Sequence, residues 1–283
     1  RTPRKALFNQ HNSASWRLIS FCYGLLALFR TIIPNMIKRF RLAAQGVFLR
    51  VEGAFTAVFG EAWNPFHYLG SITFFLFWVI AASGLYLYVF FDTGVQDAYN
   101  SIESLTHDQW YLGGVLRSVH RYASDAMVLT VMLHMLRQFV MDRFRGFRWF
   151  SWLSGIPLLW LMYASGIGGY WLVWDEMAQF IAIATAEWLD WLPIFSEPLV
   201  RNFLNQGAVN DRFFTLLAFL HIGIPLILLL FMWVHTQRIA SAKTNPPLRL
   251  GVGVVLAIVA LSLIKPALSQ PLANLDTVVT KIS

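Results

Sequence analysis

The chain has 283 residues, of which 57% are hydrophobic and 13% charged, with a formal net charge of +7. A water-soluble domain of this size carries about twice that charge, and apolar runs of about 20 residues, long enough to cross a bilayer, recur along the chain, so it reads as a helical integral membrane protein. The single cysteine, Cys22, excludes an internal disulfide and a zinc cluster, and no Cys-x-x-Cys-His is present for covalent haem attachment.

Residues 1–60 form a basic preface. Trp16, Ile19, Tyr23, Leu26, Phe29 and Ile33 recur at helical spacing among Arg17, Arg30, Lys38, Arg39 and Arg41. That pattern predicts an amphipathic helix lying in the membrane interface, with a true span as the alternative. Trp16–Ile33 carries two arginines and no small-residue cleavage site follows it, so no cleavable signal peptide is expected. Spans are expected at about Leu69–Phe91, Leu112–Gln138, Trp152–Trp174 and Phe213–Val234, with a weaker fifth at Leu248–Ile264. A Trp-rich, acidic connection from Asp175 to Asp211 is expected to form helices on the bilayer face.

Lysine and arginine set the orientation. Residues 1–60 hold nine of them. The loop after the first span has none, but carries Asp92, Asp97, Glu103 and Asp108. The next turn has Arg143, Arg145 and Arg148, the acidic connection only Arg201 and Arg212 at its edge, and the segment after the fourth span Arg238, Lys243 and Arg249. The alternation places the N-terminus and the basic loops inside, which in bacteria is the cytoplasm. The basic balance is thereby assigned to the membrane, with no nucleic-acid partner.

Four histidines stand out within the spans. His120 and His134 lie fourteen positions apart in the second, and His221 and His235 fourteen apart in the fourth. Fourteen helical residues rise about 21 Å in close to four turns, so both members of a pair face the same way. A histidine inside a membrane needs a partner. A single one is ordinarily hydrogen-bonded in a core, but two matched pairs on alternate helices suit two haems, each held by two axial imidazoles in an apolar bundle. Gly70 and Gly84 in the first span, and Gly155 and Gly169 in the third, repeat the fourteen-residue gap. They admit close approach of a porphyrin, or serve ordinary small-residue helix packing. Arg117 and Arg137 flank the first pair at the membrane ends, placed to meet haem propionates or to snorkel to the interface.

These residues resemble the N-terminal, four-helix half of cytochrome b from quinol–cytochrome c oxidoreductases, and the related cytochrome b6. The similar stretches are NPFHYLGS and SGLYLYVFF at the ends of the first helix, YLGGVLRSVHRYASDAMVLTVMLHMLRQF, GIGGYWLVW, RFFTLLAFLHIGIPLILLLFMWVH with Pro225, and TNPP. They cover about residues 60–247. The resemblance implies that the pairs cross between helices, His120 with His221 on an outer haem and His134 with His235 on an inner one. The expected fold is all-α: a four-helix transmembrane haem-binding bundle (61–247), an N-terminal interfacial segment (1–60), and an additional C-terminal transmembrane helix and tail (248–283).

There are departures from the family. Its Pro-Glu-Trp-Tyr motif, part of the outer quinol site, is absent. Its Gly-Tyr-x-Leu-Pro-Trp stretch has Val173 for Pro and is followed by Asp175 and Glu176. These two carboxylates either accept protons from a quinol or are solvated interfacial acids. Tyr68 stands where cytochrome b6 has the cysteine of its extra haem, so only two b-type haems are expected. Ala240 replaces an inner-site histidine, leaving Gln237, Arg238 and Lys243 as nearby polar candidates.

The function expected is that of a dihaem cytochrome b subunit of a respiratory or photosynthetic electron-transfer complex, a multi-pass protein of the bacterial inner membrane that moves electrons across the bilayer to or from quinone. It would work with other subunits: the C-terminal half of cytochrome b, an iron–sulfur protein and a cytochrome c. One alternative is a dihaem anchor linking a molybdenum or iron–sulfur dehydrogenase to quinone. Another, of a different class, is a non-redox scaffold or proton conductor.

Overall fold

The computed structural model describes residues 28–193, 204, 208–239 and 241–274, with isolated positions 17, 20, 21, 23 and 24. Trp16, Ile19, Leu26, Arg201 and Ala240, used in the sequence reading, lie outside the described residues. Among the described residues eight α-helices follow in order: α1 Ile33–Phe59, α2 Leu69–Phe90, α3 Asp97–His107, α4 Val115–Val140, α5 Trp149–Val173, α6 Glu176–Asp190, α7 Asp211–Thr236 and α8 Leu248–Ile264. Among the described residues there is no β-strand, only an isolated bridge between Asp175 and Leu272.

Local chemistry places the helix ends. Asn64 accepts from the Phe66 backbone N–H at 3.0 Å, with Pro65 in the first turn that follows. The same fully buried side chain donates to Glu52 O at 2.9 Å and Thr56 Oγ1 at 2.7 Å, tying the end of α1 to the start of α2. Asn210 caps α7 through the Phe213 N–H. The buried Trp174 takes a left-handed conformation (φ 52°) between α5 and α6, a turn tolerated because its indole is locked in the core.

Helices α2 and α4 form one antiparallel pair and α5 and α7 another. Phe77, Met162 and Leu228 join the pairs in one apolar cluster. Helix α8 lies on the first pair, with Ile258 among Ile72, Leu76, Val119 and Ala123. On α7, Phe219, Leu226, Leu230 and Trp233 form an exposed apolar stripe, a surface stable in lipid rather than in water.

Among the described residues four helical segments are long and apolar enough to cross a membrane: Ile33–Phe59, Pro65–Phe90, Gly146–Val173 and Asp211–Thr236. Helix α4 is less apolar because it carries Arg117, Arg121, Asp125 and Arg137 with two histidines. It nevertheless runs the length of α2, from Ser83 beside His120 to Gly70 beside His134, and so lies at the same depth. Helix α1 is long enough to span, but its partners gather at one end of the bundle. Phe48 packs with Leu69 and Val140, Arg41 pairs with Asp142, and Gln45 donates to Met141. That placement fits a helix crossing the end of the bundle. Helix α3 lies in the stretch that the sequence presents as the loop after the first span. Ala98, Ile102 and Leu105 give it one buried face, but over so short a stretch the apolar period is weak.

Candidate functional site

The two helix pairs bring the four histidines inward, each against a glycine of its own pair. A Cβ built on Gly84 would lie 2.8 Å from His120 Cε1, one on Gly169 2.7 Å from His221 Cε1, one on Gly70 3.0 Å from His134 Cε1, and one on Gly155 3.5 Å from His235 Cε1. The sequence reading left these glycines between porphyrin contact and helix packing. The structure shows the missing side chains seating the imidazole rings.

Hydrogen bonds orient three of the four rings. His120 Nδ1 lies 3.0 Å from Ile80 O and 3.2 Å from Ser83 Oγ. His221 Nδ1 lies 2.9 Å from Ser165 O, and His235 Nδ1 3.0 Å from Ser154 Oγ. A partner at Nδ1 orients a ring so that Nε2 is presented as the ligand nitrogen. His120 and His221 face each other with ring centroids 6.2 Å apart at 68°. Two metal–imidazole bonds of about 2 Å each, added to the ring radii, give roughly that separation. His134 and His235 form the second tier, seated on Gly70 and Gly155. Among the described residues no three His, Cys, Asp or Glu side chains gather as a bare ion would require. Two facing imidazoles suit an iron whose remaining positions are filled by a macrocycle.

At the acidic end Arg117 is buried and engaged with the protein. It donates to Thr106 Oγ1, to Ser269 Oγ at 2.7 Å, and lies 3.8 Å from Glu103. Among the described residues two buried donor atoms at the level of His120 and Gly169 lack a hydrogen-bond partner: Arg121 Nη1, whose Nε pairs with Asp125 at 3.3 Å, and Trp171 Nε1. They fit an anionic group at this tier, and the sequence reading passed over both. The nearest signal was Arg121's place beside His120. Its guanidinium also lies over the Tyr170 ring at 4.1 Å.

Asp175 has a structural task. One carboxylate oxygen accepts from Ala178 N at 2.8 Å, capping α6, and the other from Gln270 N at 2.9 Å. Glu176 N–H donates to Pro271 O, and Ala273 N–H to Trp174 O. Residues 265–274 thus form a strap across this end. The strap is also held by Tyr122 on Lys265 O, Ser118 on Ala267 N–H, and Gln179 on Asn274. The phenol of Tyr99 donates to Gln270 O. Burial first, then the charges of Glu103 and Asp175, hold that phenol above its ordinary pKa, so it stays a donor.

At the basic end Arg137 pairs with Glu52 of α1 at 2.9 and 3.3 Å. Glu52 Oε1 also lies 2.7 Å from His67 Nε2, and His67 Nδ1 is 3.2 Å from Glu61 O. Beside them lies a shallow, open depression lined by Glu61, Ala62, His67, Tyr68 and Lys243. The Lys243 ammonium stands over the Tyr68 ring at 5.4 Å. A second, apolar cavity of about 510 Å³, lined by Phe75, Pro246, Gly251 and Val255 among others, lies along α8. Of this set the sequence reading named Tyr68 and Lys243. It missed His67 and Glu52, which meet only when α1 folds back on the start of α2.

A family model described as cytochrome b/b6/petB matches residues 56–242, well over half of the chain. A solved structure described as a hyperthermophilic respiratory Complex III matches with a TM-score of 0.58 and 20% identity, over 70% of this chain and 58% of that one. At that identity the likeness is one of fold. This chain therefore spans less than two thirds of the length of the protein it resembles.

Proposed function

The chain belongs to the cytochrome b/b6 family, and from that membership we propose that it is the dihaem subunit of a membrane redox complex, exchanging electrons with quinone. The observation that carries this reading is the facing pair His120 and His221, 6.2 Å apart and each seated on a glycine. His120 and His221 hold one haem and His134 and His235 the other. When bound, the group supplies one-electron redox chemistry. The chain's own part is orientation and exclusion of water. Ile80 O, Ser83, Ser165 O and Ser154 steer the rings, and the apolar faces of α2, α4, α5 and α7 keep the site dry. The two tiers are separated by about 21 Å of helix rise, which sets one near each membrane face. By the distribution of Lys and Arg the basic end faces the cytoplasm.

At the acidic end Asp175 is occupied by backbone donors, so Glu176 is the carboxylate of that pair left to take up a proton. The open depression beside Lys243 is the place for quinone exchange at the basic end. The partners are further subunits that complete the acidic-end site. A second reading, an anchor serving a different redox enzyme, is favoured by the strap, which closes the corner at Trp174 and Asp175.

The test is a reduced-minus-oxidised spectrum with pyridine haemochrome quantification on the purified chain. A b-type α-band and two haems per chain are expected, and a colourless protein ends the proposal. His134→Ala should remove the basic-end haem and spare the other. Survival of both would overturn the ligand assignment.

A further inference from the structure

We propose that the outward face of α4 around Asp125 is where a transmembrane helix of another subunit docks, and that this helix brings a cationic side chain to the Asp125 carboxylate. The interface rests on the reading of the chain as one subunit of a membrane complex and uses nothing of the haem assignment.

Asp125 follows His120 by five positions on α4. Five helical residues give about 7.5 Å of rise and about 140° of rotation. With His120 turned into the bundle, Asp125 is turned out of it, at a depth between the two histidine tiers. Its side chain is 52% exposed. Leu129, Met132 and Leu136 continue the same face and are exposed too. Their spacing of four, three and four residues is that of a seam along which a second helix lies. The neighbouring helices of this chain leave the seam uncovered. Helix α8 packs on Val119 and Ala123, while Met127, Val128 and Val131 face the apolar cluster that joins the two helix pairs.

A carboxylate at this depth needs a partner. Among the described residues the only polar contact of Asp125 is that of its Oδ2 with Arg121 Nε, at 3.3 Å. The rest of that guanidinium is turned away, over the Tyr170 ring at 4.1 Å and with Nη1 buried. Ser124 beside it is satisfied by the carbonyls of His120 and Arg121, so Asp125 is the polar group that this face presents. Acyl chains offer no donor, and an anionic headgroup is repelled. A second copy of this chain is a poor fit, because a two-fold axis along the membrane normal sets identical residues at one depth and brings Asp125 against Asp125. A Lys, Arg or His on the facing helix supplies the donor to Oδ1 and neutralises the charge, while its apolar residues cover Leu129, Met132 and Leu136.

The experiment uses the full chain in its native membranes, with the photo-cross-linker p-benzoylphenylalanine in place of Leu129, one turn from Asp125. After irradiation the cross-linked peptide is identified by mass spectrometry. The expected product is a transmembrane segment of another subunit with Lys, Arg or His within one turn of the attachment point. A cross-link to a second copy, to lipid alone, or to a segment without such a residue overturns the proposal. If further subunits still co-purify with the wild-type chain in that case, only this face is misassigned; if none do, the reading as a subunit falls as well. Asp125→Leu should keep the wild-type haem content and lower retention of the cross-linked subunit through detergent purification roughly tenfold, the size of one interhelical polar contact. Asp125→Lys should lose it further, and replacing the facing cation by Asp in that background should restore it. Wild-type retention in either single variant, or no rescue by the exchanged pair, overturns the charge pairing. Should the Asp125 variants fail to accumulate, the cross-link decides, because it leaves Asp125 in place.

Discussion

Alanine substitution of the four glycines should produce a graded loss of haem, with the order set by geometry. A Cβ on Gly169 or Gly84 would stand 2.7 or 2.8 Å from an imidazole carbon, about 1 Å inside an ordinary carbon contact. The ring cannot retreat freely because its Nδ1 is bonded to Ser165 O or Ile80 O. Overpacking of this size costs about 1–3 kcal/mol, and each 1.4 kcal/mol is a factor of about ten, so haem affinity at the acidic-end tier should fall roughly 10- to 100-fold. Gly70→Ala, at 3.0 Å, should show a smaller loss at the other tier. Gly155→Ala meets His235 at 3.5 Å, a normal contact. It also gains roughly 0.5–1 kcal/mol because alanine suits a helix interior better than glycine, so it should bind haem as wild type and melt slightly higher. The assay is haem titration into apoprotein in detergent, with the tiers assigned by His120→Ala and His134→Ala. Wild-type affinity in Gly169→Ala, or an equal loss in Gly155→Ala, would refute the reasoning.

Removing Glu52 strands the Arg137 charge, 15% exposed, and removing Arg137 leaves Glu52, 11% exposed, with only His67 beside it. Glu52→Gln or Arg137→Gln should therefore destabilise by about 3 kcal/mol, and the double variant by less than the sum. Thermal melts of the four proteins close that cycle, and additive losses would show that the pair is not coupled. Asp175→Ala deletes a helix cap and the acceptor for Gln270 N–H. It should cost about 1–2 kcal/mol and raise amide exchange across residues 270–274. Unchanged exchange there would mean that the strap does not depend on this carboxylate.

Much of this protein is legible in the chain itself, and the reason is periodicity. A helix turns sequence separation into direction, so fourteen-residue gaps between His120 and His134, or Gly70 and Gly84, specify shared faces before any packing is known. Bilayer thickness does the same for span length. For α2, α5, α7 and α8 the expected spans agree with the helices to within a few residues. Helix α4 was also recognisable, because its histidines and arginines keep the spacing even as they lower its hydropathy.

Only the tertiary structure could decide matters that join distant positions. It matched each glycine to one histidine, and ranked the four contacts by distance. It showed Arg117 bonded to Thr106 and Ser269. It gave both oxygens of Asp175 to backbone donors, one of them in the strap. It also assembled His67, Glu52 and Arg137 from three separate elements. No local pattern encodes such pairs, because their energy comes from burial of polar groups against particular partners, and those partners exist only once the helices have packed.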